Sequence, residues 1–128
     1  MKRAKPKQKI VTKAFSVRQP WAHLILHGKK DVENRSQRTR YVGTVAMHAS
    51  STMNKSLVRE KKLVPEDLPT GCVIGVVDIV DCVRNSKSKS AEPGYWHWVL
   101  RNPRALKKPR KMKGWLGLFP LKPGIRIG

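Results

Sequence analysis

The sequence predicts a small α+β domain that is mostly β: an antiparallel β-barrel carrying one to three short helices. Three observations predict it. Short β-branched or aromatic runs recur along the chain between Pro, Gly and Asn turns. No segment has the length of the helices that parallel βαβ units need. The chain has 128 residues with 39% apolar content, enough for one core and too short for two.

Element by element, residues 1–9 read as a basic, Pro-containing arm that orders only on a partner, and residues 10–128 as a single domain. Ile10–Val17 (IVTKAFSV) is a first strand. In RQPWAHLILHG, Pro20 suits a first helical turn, Trp21, Leu24 and Ile25 share a face, and Gly28 is a C-terminal stop. DVENR reads as a short strand or loop. Tyr41–His48 reads as a strand running into a polar turn at Ala49–Asn54, followed by a short helix to Leu63 and a Pro-bounded loop. Gly71–Val83 is apolar on both parities, hence covered on both faces, with Gly75 a candidate bulge. After a polar turn region at Arg84–Gly94, Tyr95–Leu100 and Trp115–Leu121 read as closing strands.

Charge points to a partner. Lys plus Arg number 28 against 8 Asp plus Glu, a net charge of +20. Solubility alone asks for a magnitude of roughly 2–8, so the excess self-repulsion implies a polyanion. The charge concentrates in Lys2–Lys13 and in Arg101–Lys113, which hold no acid, whereas Lys29–Arg40 mixes Asp31 and Glu33 with its cations. The acid-free segments suit sequence-blind contact with phosphates through Arg101, Arg104, Lys107, Lys108 and Arg110. A membrane surface is disfavoured, because Lys55–Lys62 is too short to form a basic amphipathic helix. No run approaches the ~18 apolar residues of a membrane span, and no apolar segment follows the basic start as a secretory signal requires. Cys72 and Cys82 lack zinc or disulfide spacing, which fits a reducing, intracellular compartment; the chain is expected to be a monomer with nucleic acid, RNA or DNA, as its partner, a protein partner being open as well.

The candidate site is QPWAHLILHGKKDVENR. An extended segment after Lys30 sets Asp31, Glu33 and Arg35 on one face and Lys30, Val32 and Asn34 on the other. Lys29, Lys30, Arg35, Arg38 and Arg40 suit phosphate, and Gln19, Glu33, Asn34 and Ser50 suit base edges or sugar. A Glu33–Arg35 pair satisfying itself on the surface is the plainer reading of the same residues. Trp21, Trp96 and Trp98 offer stacking surfaces, while Trp21 and Trp115 are also natural core fillers. His23 and His27, four apart on the helix, have no evident third ligand, so neither a metal site nor a cofactor is expected. His48 beside Ser50 and Ser51 admits a Ser–His nucleophile.

These blocks resemble the ASCH (activating signal cointegrator homology) family. The resemblance runs through Gly28, Lys30, Glu33 and Arg35, then Gly43 and His48-Ala49-Ser50, then LPTGCVIGVVDIVDC and KGWLGLF, covering Lys13 to Leu121. It implies a PUA-like barrel with a cleft beside the first helix suited to RNA, DNA or a nucleotide. Family members include coactivator and RNA-binding modules, and also ribonucleases and N4-acetylcytidine amidohydrolases. Lys30 matches the lysine of the amidohydrolases, but Glu33 stands where they carry threonine. A catalytic set here would therefore be Lys30 with Glu33 or His48 and Tyr41 as a donor, a hydrolase on RNA or a modified nucleoside.

Overall fold

The computed structural model describes residues 9–127, so most of the expected basic arm lies outside the described residues. Lys9 does not belong to that arm: it opens the first strand, and its Nζ donates to Thr44 Oγ1 at 3.1 Å. The chain order is β1 (Lys9–Gln19), α1 (Trp21–His27), β2 (Val32–Arg35), β3 (Gly43–Met53), α2 (Lys55–Glu60), β4 (Cys72–Val83), β5 (Trp96–Lys111) and β6 (Leu118–Ile127). A 3-10 turn over Pro65–Asp67 precedes β4.

All six strands form one sheet in the order β2-β5-β4-β3-β1-β6. The mostly β class holds, but the expected barrel does not close: β2 and β6 are its edges. The sheet is also mixed, since β1 and β3 run parallel while every other pair is antiparallel. No long helix was needed for that parallel pair. The connection runs through seven-residue α1 and then β2, which joins the far edge before the chain returns to β3.

Two apolar clusters form as side chains alternate across the sheet. Phe15, Val17, Val45, Met47, Ile79, Trp98 and Leu100 gather with Ala22 and Ile25 of α1. Val11, Ala14, Ala46, Val73, Val76, Phe119 and Leu121 form the other. β4 feeds both, which explains its unbroken apolar run. Its register slips between Val73 and Gly75, so the bulge expected near Gly75 is present. A Cβ on Gly75 would meet the Arg104 carbonyl oxygen at 2.6 Å and Leu26 Cδ2 at 2.7 Å, so glycine is needed for β4, β5 and α1 to close together.

Two strands outrun their sequence signal. β3 continues through Met53 over the expected turn, and β5 continues from Leu100 through Lys111. Cross-strand pairing with Cys72–Ile79 holds this polar stretch extended, overriding weak local propensity. At the other end, β6 starts only at Leu118, leaving Trp115 outside it.

Candidate functional site

Gln19 sets the site's frame. It is fully buried, with its Oε1 accepting from the His23 backbone N–H at 3.0 Å and its Nε2 donating to the Pro69 carbonyl at 2.9 Å. The side chain thus satisfies one of the orphan donors in the first turn of α1 and ties the helix to the loop before β4. Its polar groups are spent on the fold rather than turned to solvent. At the other end of α1, Gly28 and Lys30 both donate to the Leu24 carbonyl, at 3.0 and 3.2 Å, and the chain turns into β2. A Cβ on Gly28 would lie 2.7 Å from that same carbonyl oxygen.

β2 pairs with β5 in the register Glu33 opposite Trp98 and Arg35 opposite Trp96, with Val32 buried as its anchor. Asn34 staples the loop that follows β4: its Nδ2 donates to the Ser90 carbonyl and its Oδ1 accepts from the Glu92 N–H, both at 2.9 Å. Ser88 reinforces this by donating to Asp31. Between α1, β2 and that loop lies an open cleft of about 430 Å³, into which Lys30, Glu33 and Arg35 converge with Ser16, Trp21 and Tyr95.

The charges in the cleft are coupled. Arg35 donates to the Ser16 carbonyl at 2.5 Å and pairs with Glu33 Oε2 at 3.2 Å. Its guanidinium lies 5.2 Å from the Trp98 ring centroid and 5.4 Å from that of Phe15, within cation–π range. Its Nε is buried with no hydrogen-bond partner among the described residues. Burial pushes the Glu33 carboxyl above its ordinary range, against the pull of Arg35 and Lys30. Lys30 donates to the Val32 carbonyl at 2.7 Å. Burial holds its ammonium below the usual lysine range, opposed by Glu33, Glu92 and Asp31. Both shifts have one cause, the loss of water around charge.

The remaining sequence candidates disperse. Lys29 is exposed on the rim, in a groove that shares Trp21, Lys30 and Glu92 with the cleft and adds Lys61 and Lys89. Trp98 is 3% exposed, with its indole N–H donating to the Gln37 carbonyl at 3.0 Å, so it is a floor under Arg35 and not an open stacking face. Trp96 is half-buried between the guanidinia of Arg38 and Arg84, at 5.6 and 5.0 Å. Arg40 is exposed. Tyr41 turns away from the cleft to donate to the Thr44 carbonyl at 3.3 Å, with Lys13 5.5 Å from its ring centroid. Arg104 pairs with Asp78 at 3.5 Å, and Arg110 donates to the Pro123 carbonyl at 2.8 Å, while Arg101, Lys107 and Lys108 are exposed along β5. The expected Ser–His pair exists with a different serine: His48 Nδ1 lies 3.1 Å from Ser16 Oγ, while Ser50 donates to the Thr52 carbonyl. The His23 and His27 rings lie 5.1 Å apart, tilted at 49°, and among the described residues no group of three His, Cys, Asp or Glu could hold a metal.

The ASCH domain profile matches residues 15–110, three-quarters of the chain and all of this cleft's scaffold. The chain belongs to the ASCH domain family. Within the family, this ASCH domain is 30% identical over 133 aligned residues to human activating signal cointegrator 1 and 28% identical to the mouse protein, in both cases over 89% of its own length. It spans 23% of those relatives' length. No helix of the described ASCH domain is long and apolar enough to cross a membrane.

Sequence reasoning missed Ser16, Arg18 and Tyr95 in the cleft and Lys61 and Lys89 on its rim. Arg18 and Ser16 were legible as SVRQPW, a polar stretch ending a strand immediately before a helix, which is where an α+β fold opens a crevice. Nothing in the local pattern marks Lys61, which follows α2, or Lys89 and Tyr95, which share the loop between β4 and β5.

Proposed function

We propose that this ASCH domain binds nucleic acid, with a nucleotide seated in the cleft between α1 and β2. The observation that carries the proposal is that Arg18, Lys30 and Arg35 line one cleft together with Trp21 and Tyr95, in a chain of net charge +20. The cations suit phosphate, and Trp21 and Tyr95 suit a base face. Glu33 and Asn34 stand at the wall, Glu33 as the group able to accept from an exocyclic amine. Lys29, Lys61 and Lys89 extend the positive potential along the rim, so the phosphate backbone has somewhere to continue. The acid-free run in β5 supplies sequence-blind attraction.

Fluorescence anisotropy with labelled single-stranded RNA and DNA tests this. Affinity is expected to fall with salt, with log–log slope of about −0.7 per phosphate neutralised. Lys30→Ala should weaken binding and make that slope shallower by about 0.7. Absence of binding at about 50 mM salt overturns the proposal.

A second reading, a small hydrolase on RNA or a modified nucleoside, draws on the depressed Lys30 ammonium beside a carboxyl shifted the other way. Incubation with single-stranded RNA and with acetylated cytidine separates the two. Turnover abolished by Lys30→Ala would support catalysis, and no product from either substrate would refute it.

A further inference from the structure

Ser16 lines two cavities. One is the cleft already described. The other, about 520 Å³, is walled by His48, Ser50 and Gly71 and by the segment between β5 and β6. Trp115 and Leu116 stand at its mouth, 59% and 98% exposed, although Phe15, Trp98 and Phe119 are all buried. Isolated exposed hydrophobics are ordinary, but this pair sits on a segment pinned at its base.

Met112 holds that base. Its N–H donates to the Gly71 carbonyl at 3.2 Å, and its carbonyl accepts from His48 Nε2 at 2.7 Å. A carbonyl can only accept, so Nε2 carries the proton, and in the neutral ring Nδ1 accepts from the Ser16 hydroxyl. Gly114 lies flat on this pair: a Cβ there would be 2.6 Å from both His48 Cε1 and Nδ1. Gly117, at φ +64°, then turns the chain into β6. Trp115 is therefore held outward on an anchored loop, with Lys113 Nζ 5.0 Å from its ring centroid. An exposed aromatic ring with a lysine ammonium over one face leaves its other surface for an unpaired base and places a cation beside that base's phosphate.

We infer that the Trp115 cavity is a second nucleotide subsite, and that a single-stranded polynucleotide runs from the cleft past Ser16 so that a neighbouring base stacks on Trp115. This rests on the proposed nucleic-acid binding at the cleft and extends it by naming an unpaired strand as the ligand and Trp115 as the second contact. Charge complementarity selects the occupant: the Lys113 ammonium lies over the Trp115 ring at the cavity's mouth, in a strongly basic chain, which favours a polyanion carrying flat bases over an apolar peptide.

The test uses the full chain and two probes, a labelled single-stranded octanucleotide and a nucleoside monophosphate. Trp115→Ala is expected to weaken octanucleotide binding roughly 5- to 100-fold and leave monophosphate binding unchanged. Trp115→Phe should restore most of the octanucleotide affinity, and Lys30→Ala should weaken both probes. Unchanged octanucleotide binding in Trp115→Ala, with Lys30→Ala still damaging, overturns the second subsite and leaves the cleft standing. Neither variant having an effect overturns both. Equal weakening of both probes by Trp115→Ala, at an unchanged thermal midpoint, also overturns the two-subsite assignment.

Discussion

Truncating Arg35 to alanine removes the hydrogen bond to the Ser16 carbonyl, the ion pair with Glu33 and the contacts over Phe15 and Trp98 together. A charged donor to a carbonyl contributes about 1.5–3 kcal/mol, and each cation–π contact about 0.5–1 kcal/mol where water still reaches. The ion pair is intermediate in burial, with side chains 22% and 12% exposed, so the ~3–5 kcal/mol lost on breaking a fully buried pair is an upper bound. The abandoned Glu33 also has an escape. Burial already raises its carboxyl above the ordinary range, and without the opposing pull of Arg35 it takes up a proton more readily. Because the contacts share one guanidinium they do not add, and the expected loss is about 3 kcal/mol at neutral pH. In urea this moves the unfolding midpoint by roughly 1–2 M. Adding Glu33→Gln to the alanine variant should recover about 1 kcal/mol, since it removes the stranded carboxylate. Denaturation followed by tryptophan fluorescence reads both numbers. A loss under about 1 kcal/mol, or no recovery in the double variant, would refute the assignment of Arg35 as the link between β2 and the core.

Two other outcomes follow from the structure. Because native Glu33 keeps its proton above the ordinary value of 4.5, the folded state binds more protons than the unfolded chain between that value and the raised one. Wild-type stability should therefore fall relative to Glu33→Gln as pH rises through that window; urea midpoints at stepped pH showing the opposite trend would contradict it. Gly114→Ala forces a methyl group against Ser16 and His48 and is expected to cost about 1–3 kcal/mol, read as a lower thermal midpoint, and to weaken octanucleotide binding by displacing Trp115; an unperturbed midpoint would mean that the loop is not anchored as described.

Much of the cleft was legible because its residues are neighbours in the chain. Lys30, Glu33, Asn34 and Arg35 fall within one short turn-and-strand, and local spacing alone is enough to bring them to one place. Gln19 shows where the reading stops. Its sequence context beside Pro20 and Trp21 marks it as polar and near the site, yet its amide is consumed by the His23 N–H and the Pro69 carbonyl, the latter fifty residues away. Trp98 is similar: strand alternation gives its parity but not whether the covered face is the one it occupies. Trp115 failed in the opposite direction, since an apolar run reads as a strand whether or not the chain around it is held away from the core.

The +20 charge, the β-rich punctuation and the mixed cluster after α1 are properties of composition and of residues close in sequence, so the chain alone determined them. The open edges of the sheet at β2 and β6, the parallel β1–β3 pair and the meeting of Ser16 with His48 depend on which strands pair and in what register. Such pairings join residues more than thirty apart through backbone groups that are nearly alike at every position. Only the packed fold distinguishes among them, through the side chains it must bury and the close approaches that Gly75 makes to Arg104 and Leu26 and Gly114 to Ser16 and His48.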